Sequence, residues 1–205
     1  MSELKHVNIY MEATPNPSSM KFVADQLLLK NGSVEYLTQE EAVNCPLAVQ
    51  LLKFTGVKSV FITSNFISVN KAEDIEWMEI QSIIREFIRS YLVSGDPIFT
   101  SEELLVQVGD SIKKENTSND NVDPVSSSPE IEKKIIDLLE EFVRPAVEKD
   151  GGAIEFGHFK DGVVTLDLKG ACSGCPSSVV TLKNGIENLL TLHLPEVRSV
   201  VARDA

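Results

Sequence analysis

The polar segment at residues 111–129 is the feature that most limits what this chain can become. It reads Ser-Ile-Lys-Lys-Glu-Asn-Thr-Ser-Asn-Asp-Asn-Val-Asp-Pro-Val-Ser-Ser-Ser-Pro. Such a stretch buries too little apolar area to offset the entropy of ordering it, so it predicts a flexible linker. The 205 residues then divide into two small domains, at 5–110 and 130–205, rather than one large core. Each piece must find its own hydrophobic interior.

The first piece reads as a small α+β domain. Residues 7–11 and 20–24 look like strands around the turn Thr14-Pro15-Asn16-Pro17-Ser18-Ser19. Pro46 suits the first turn of a short helix over 46–54, with Cys45 at its start. Residues 57–63 and 66–70 alternate as a hairpin about Ser64-Asn65. Residues 77–93 place Ile80, Ile83, Ile84, Phe87, Ile88 and Tyr91 at helical spacing, which predicts one buried face, with Trp77 in the core and Glu76, Glu79 and Glu86 solvated. A further short element is expected within 97–108.

The second piece predicts the order helix-strand-strand-helix-strand. An amphipathic helix over 131–147 carries Ile135, Leu138, Leu139, Phe142 and Val143 on one face, and Pro145 should bend or end it. Asp150-Gly151-Gly152 reads as a turn that needs glycine torsions, with a role next to a metal site as the alternative. A hairpin over 153–159 and 163–169 turns at Lys160-Asp161-Gly162. A helix at 176–192 and a strand at 197–202 complete the α+β pattern. No internal repeat relates the two pieces.

Between that hairpin and that helix lies Gly170-Ala171-Cys172-Ser173-Gly174-Cys175-Pro176-Ser177-Ser178, which holds two of the three cysteines. Two thiolates at Cys-x-x-Cys spacing can grip one metal centre from the same side. Gly170 and Gly174 allow tight turning. Cys175 precedes Pro176 at a helix start, where unpaired amides and the dipole favour a thiolate. Three readings follow: small buried fillers, a dithiol oxidoreductase, or half of a metal site. A zinc or iron–sulfur site takes about four ligands, and this pair supplies two. His158 and His193 are the only histidines of this piece, and neither is well placed to complete the set. The preferred reading is a half-site completed by a second chain; a zinc-bridged interaction module is the variant with a different metal.

Composition narrows the classes. A net charge of −12 argues against binding a phosphate backbone. No apolar run approaches the ~20 residues of a spanning helix. The first residues, Met1-Ser2-Glu3-Leu4-Lys5-His6, lack the layout of a secretory signal and the Arg-rich character of a transit peptide, so the expectation is a cytoplasmic protein, or a processed form in the mitochondrial matrix. No paired acid–base carboxylates, nucleophile triad or phosphate-cradling loop is present, and no enzymatic activity is expected.

Two sets of residues carry a family resemblance. Glu141-Phe142-Val143-Arg144-Pro145, Asp150-Gly151-Gly152, the Gly170–Ser178 loop and Thr181-Leu182-Lys183-Asn184-Gly185-Ile186-Glu187 resemble the C-terminal domain of NifU. Thr14-Pro15-Asn16-Pro17-Ser18-Ser19-Met20-Lys21-Phe22, Pro46-Leu47-Ala48, Gly56-Val57 and Val60-Phe61 resemble the N-terminal domain of Nfu-type iron–sulfur scaffold and carrier proteins. The resemblance implies a [4Fe-4S] cluster, with [2Fe-2S] as the smaller option, bridged between protomers and delivered to apo iron–sulfur proteins. By position it implies Cys172 and Cys175 as the ligands; the partners expected are an upstream assembly scaffold as donor and a second copy of the chain, as a homodimer or higher oligomer when loaded, and charge and apolar runs leave neither nucleic acid nor membrane as an expected partner. Cys45 departs from the pattern, since the family often has serine there; its expected role is structural, with a third ligand reaching across the linker as the alternative.

Overall fold

The computed structural model describes residues 6–100, 129–173 and 176–204. They form two compact units, one on each side of the segment 101–128. The expected linker lies in that segment, outside the described residues, as does most of the element expected within 97–108; Pro129, the last residue assigned to the linker, is already helical. Among the described residues no helix is long and apolar enough to cross a membrane.

The first unit is a five-stranded antiparallel sheet in the order β1-β2-β5-β4-β3, formed by β1 (Ile9–Ala13), β2 (Ser19–Ala24), β3 (Ser33–Tyr36), β4 (Val57–Thr63) and β5 (Phe66–Lys71). The predicted hairpin is present, and Ser64 takes a positive φ of 37° at its tip. Strand alternation sends Phe22, Ala24, Val60, Ile62, Ile67 and Val69 into one core. Two helices close that core: α1 (Pro46–Leu51) buries Leu47, Ala48 and Leu51, and α2 (Trp77–Ser94) buries Ile84, Ile88 and Leu92. A left-handed Gly95, φ 77°, caps α2.

Three details differ from the sequence reading. The buried stripe of α2 runs 84-88-92, which turns Ile83 outward at 57% exposure. Trp77 is half-buried rather than core, and its indole N–H donates to the Pro17 carbonyl at 3.0 Å, tying the proline turn to the helix. Strand β3 and the 3-10 turn Glu41–Asn44 were not anticipated. At four residues each, they are too short to establish a period.

The second unit is a three-stranded sheet, β6 (Gly152–Lys160), β7 (Val163–Gly170) and β8 (Ser199–Asp204). β6 and β7 are antiparallel, whereas β8 runs parallel to β7 after the crossover helix α5 (Pro176–His193). Asp161 and Gly162 both adopt positive φ, 53° and 82°, the geometry that a two-residue hairpin turn demands. Before the sheet, α3 (Pro129–Leu138) and α4 (Arg144–Lys149) are joined by a π-helical turn, Leu139–Val143. There the Arg144 N–H donates to the Leu139 carbonyl, five residues back. Pro145 has no N–H to offer, and the widened turn just before it lets the helix resume instead of ending. Ile135, Leu139, Val143 and Val147 face the core with Ile154, Val164, Leu166, Leu168, Ile186, Leu190 and Val200. Phe142, expected on that buried face, is 51% exposed and stacks on His193, with ring centroids 6.2 Å apart and planes 17° from parallel. The other face of the sheet carries the ion pairs Lys169–Glu155 at 2.7 Å and Arg203–Asp167 at 2.8 Å.

Candidate metal centre

The site grows from the end of the β6–β7 ladder. Its last pair is Gly152 opposite Gly170. Gly170 takes φ 65° and turns the chain out of β7. The turn is held by Ala171 N–H donating to the Gly151 carbonyl at 3.1 Å and by Ser173 N–H donating to the Gly170 carbonyl at 3.2 Å. This backbone net sends Cys172 inward, where it is 7% exposed and packs in the core of the unit. α5 begins four residues later at Pro176, and the first turn of a helix leaves amides without intrahelical partners. Cys175 and Gly174 lie outside the described residues, as do the side chains of Ser177 and Ser178.

The sulfur of Cys172 sits against Gly152. A Cβ at position 152 would stand 2.5 Å from the Cys172 Sγ, 2.7 Å from the Lys169 carbonyl oxygen and 2.9 Å from the Cys172 amide nitrogen. The place a side chain would fill is thus taken by a soft donor suited to iron or zinc. The two glycines of Asp150-Gly151-Gly152 have different tasks. Gly151 takes φ 85°, a left-handed conformation that glycine adopts without strain, while Gly152 opens β6 and leaves room for the sulfur. Of the two expectations for Asp150-Gly151-Gly152, the turn fits Gly151, while Gly152 stands in close approach to the Cys172 sulfur.

The remaining candidates stand elsewhere. His158 faces the open side of the sheet, its Nε2 3.3 Å from the Thr165 hydroxyl. His193 is at the far end of α5, roughly 25 Å from its start at 1.5 Å per residue. Among the described residues no three His, Cys, Asp or Glu side chains gather where they could hold a metal ion.

Cys45 belongs to the first unit and is fully buried at the start of α1. Burial pushes its thiol from 9.0 up to about 12, against a smaller opposing pull from the Ala48 and Leu47 amides and the Tyr36 hydroxyl. The same burial, with Cys45 beside it, raises Tyr36. A thiol held as S–H is a core filler and not a metal-binding thiolate. The linkage has a definite sign. The unfolded chain releases this proton near pH 9 and the folded one only near 12, so the contribution is complete below pH 9 and lost above it. Urea unfolding followed by fluorescence of the single tryptophan, Trp77, should show stability falling progressively as pH rises from about 9 towards about 12 from this group. Cys45→Ala should flatten that slope; an unchanged slope would mean that Cys45 is not its source.

Two family models match in chain order. The scaffold protein Nfu/NifU N-terminal family covers residues 9–95, and the NifU-like domain covers residues 135–201. Together they span most of the chain, one on each unit.

The chain belongs to the Nfu-type iron–sulfur cluster scaffold family.

Curated relatives agree with this. A human protein named NFU1 iron-sulfur cluster scaffold homolog, mitochondrial, is 35% identical over 198 residues, covering 96% of this chain and 72% of that one. NifU-like protein 4, mitochondrial, from Arabidopsis thaliana is 37% identical over 194 residues, covering 94% and 64%. A NifU-like protein of Schizosaccharomyces pombe is 35% identical over 205 residues, covering 98% and 74%. The chain therefore spans about two thirds to three quarters of the length of these relatives. As an Nfu-type scaffold it has an iron–sulfur role, and the Cys172 loop lies within its NifU-like part.

Proposed function

We propose that this Nfu-type chain carries a [4Fe-4S] cluster as cargo, held by Cys172 and Cys175 of two protomers, and passes it to apo iron–sulfur proteins without catalysing a reaction of its own. The observation that carries the reading is the seat of Cys172: a thiol in a turn held by the Ala171-to-Gly151 and Ser173-to-Gly170 backbone bonds, four residues before the start of α5, in a family of cluster scaffolds. The amide end of α5 favours the thiolate and an anionic cluster. The cluster supplies four iron sites, and each chain has two cysteines in this loop, so two loops related by a twofold axis complete the set. Cys45, buried as S–H, takes no part. A cluster held between two chains can leave by their separation, which suits a carrier. The donor is an upstream assembly scaffold. The names of the human and Arabidopsis relatives, both mitochondrial, favour the mitochondrion over the cytoplasm.

Light scattering combined with iron and acid-labile sulfide analysis tests the bridge. The apo chain should be monomeric, and the anaerobically loaded chain a dimer or larger, with about one [4Fe-4S] per two chains. A fully loaded monomer, free of small thiols, would show that no second chain is needed. Metal bound without sulfide would instead favour the zinc-bridged module.

A further inference from the structure

We propose that Gly152 is a positioning residue for Cys172: lacking a Cβ, it provides the space in which the sulfur rests and so sets the direction from which that thiolate meets a cluster. The inference rests on the reading of Cys172 as a ligand. Three atoms crowd the place of the missing Cβ: the Cys172 sulfur at 2.5 Å, the Lys169 carbonyl oxygen at 2.7 Å and the Cys172 amide nitrogen at 2.9 Å. The last two are backbone atoms. They are held by the Gly152–Gly170 end of the ladder and by the bond from Ala171 N–H to the Gly151 carbonyl. Of the three, only the sulfur moves by simple rotation. A methyl group at 152 therefore drives Cys172 to another staggered rotamer, displacing the sulfur by roughly 3 Å, and it still meets the two backbone atoms, so the loop backbone shifts as well. A ligand is productive only within about 0.5 Å of its place. Gly151 has a different need, for its φ of 85°, so the two adjacent glycines are required for separate reasons.

Four forms of the full-length chain test this: wild type, Gly152→Ala, Cys172→Ala and the double variant. The first readout is thermal melting without cluster. Gly152→Ala should lower the midpoint more when Cys172 is present than when Cys172→Ala has removed the sulfur, since part of the clash is with that atom. The second readout is iron and sulfide retained after anaerobic loading, at a temperature where each chain is folded. Gly152→Ala should retain roughly tenfold less than wild type, or lower still, in line with residues that orient metal ligands. Leu190→Ala, which opens the core of the same unit, should load normally while folded. Equal melting losses in both backgrounds, including a double variant that folds no better than Gly152→Ala, overturn the proposed seat. Wild-type loading in Gly152→Ala overturns the positioning role. Wild-type loading in Cys172→Ala sinks the ligand assignment itself, a failure separate from the melting result.

Discussion

Cys172→Ser should retain almost no iron or sulfide after anaerobic reconstitution, and Cys175→Ser should behave in the same way, while Cys45→Ser loads as wild type. A hydroxyl is a hard, neutral donor at this pH and does not replace a thiolate on iron. Loss of a residue that merely orients a ligand costs about 10–100-fold in metal affinity, so loss of the ligand should exceed that. Melting of the cluster-free protein separates loss of binding from loss of fold. Cys172 is buried, so its serine variant should melt somewhat lower, yet remain folded. Cys45 gives the contrast. It is fully buried in the other unit as a protonated thiol, so its serine variant should cost stability there and leave cluster content unchanged. Iron and sulfide per chain are the deciding numbers. Wild-type content in Cys172→Ser would remove it from the ligand set.

The fragment 128–205 should fold and load a cluster without the rest of the chain. Its reason is the self-contained core: Ile135, Leu139, Val143 and Val147 from the helical run, Ile154, Val164, Leu166 and Leu168 from the hairpin, and Ile186, Leu190 and Val200 from α5 and β8 pack with one another. Both cysteines of the loop lie inside it. The first unit offers only Cys45 as a cysteine, and we propose partner recognition or control of transfer as its task. Loading of the fragment should match that of the full chain, whereas recovery of activity in an apo-acceptor should be slower. A fragment that takes up no cluster would overturn the modular reading. Equal transfer to every acceptor tested would leave the first unit without the role assigned here.

What the residues reveal in order is mostly local. The hairpin at Ser64-Asn65, the turn at Asp161-Gly162, α2 and α5 all come from short-range patterns: alternation, turn residues with positive φ, and apolar spacing near 3.6. The two-part organisation shows in the same way, because a polar run of Asn, Ser and Pro has no apolar face. The cysteine loop is equally visible, since Cys-x-x-Cys between glycines before a helix start is itself a chemical pattern.

Where the structure departs from the expectation, a local irregularity or a distant partner is the cause. Phe142 fits the apolar spacing of an ideal α-helix, but the π turn before Pro145 rotates it outward. Ile83 lies beside the stripe 84-88-92, and only the sheet opposite α2 decides which edge of an apolar face is buried. The parallel placement of β8 beside β7 pairs residues about 36 positions apart, such as Val164 with Val200, which no local pattern encodes.

Sequence alone determined the secondary-structure periods, the break between the two units and the thiol pair, because each depends on neighbours within a few residues. Tertiary structure alone decided that Gly152 lies under the Cys172 sulfur, since 20 residues and a hairpin separate them and only the β6–β7 register brings them together. It decided the state of Cys45 for the same reason: the residue beside a proline is plain in the chain, but the burial that keeps its thiol protonated comes from the helices and strands packed around it.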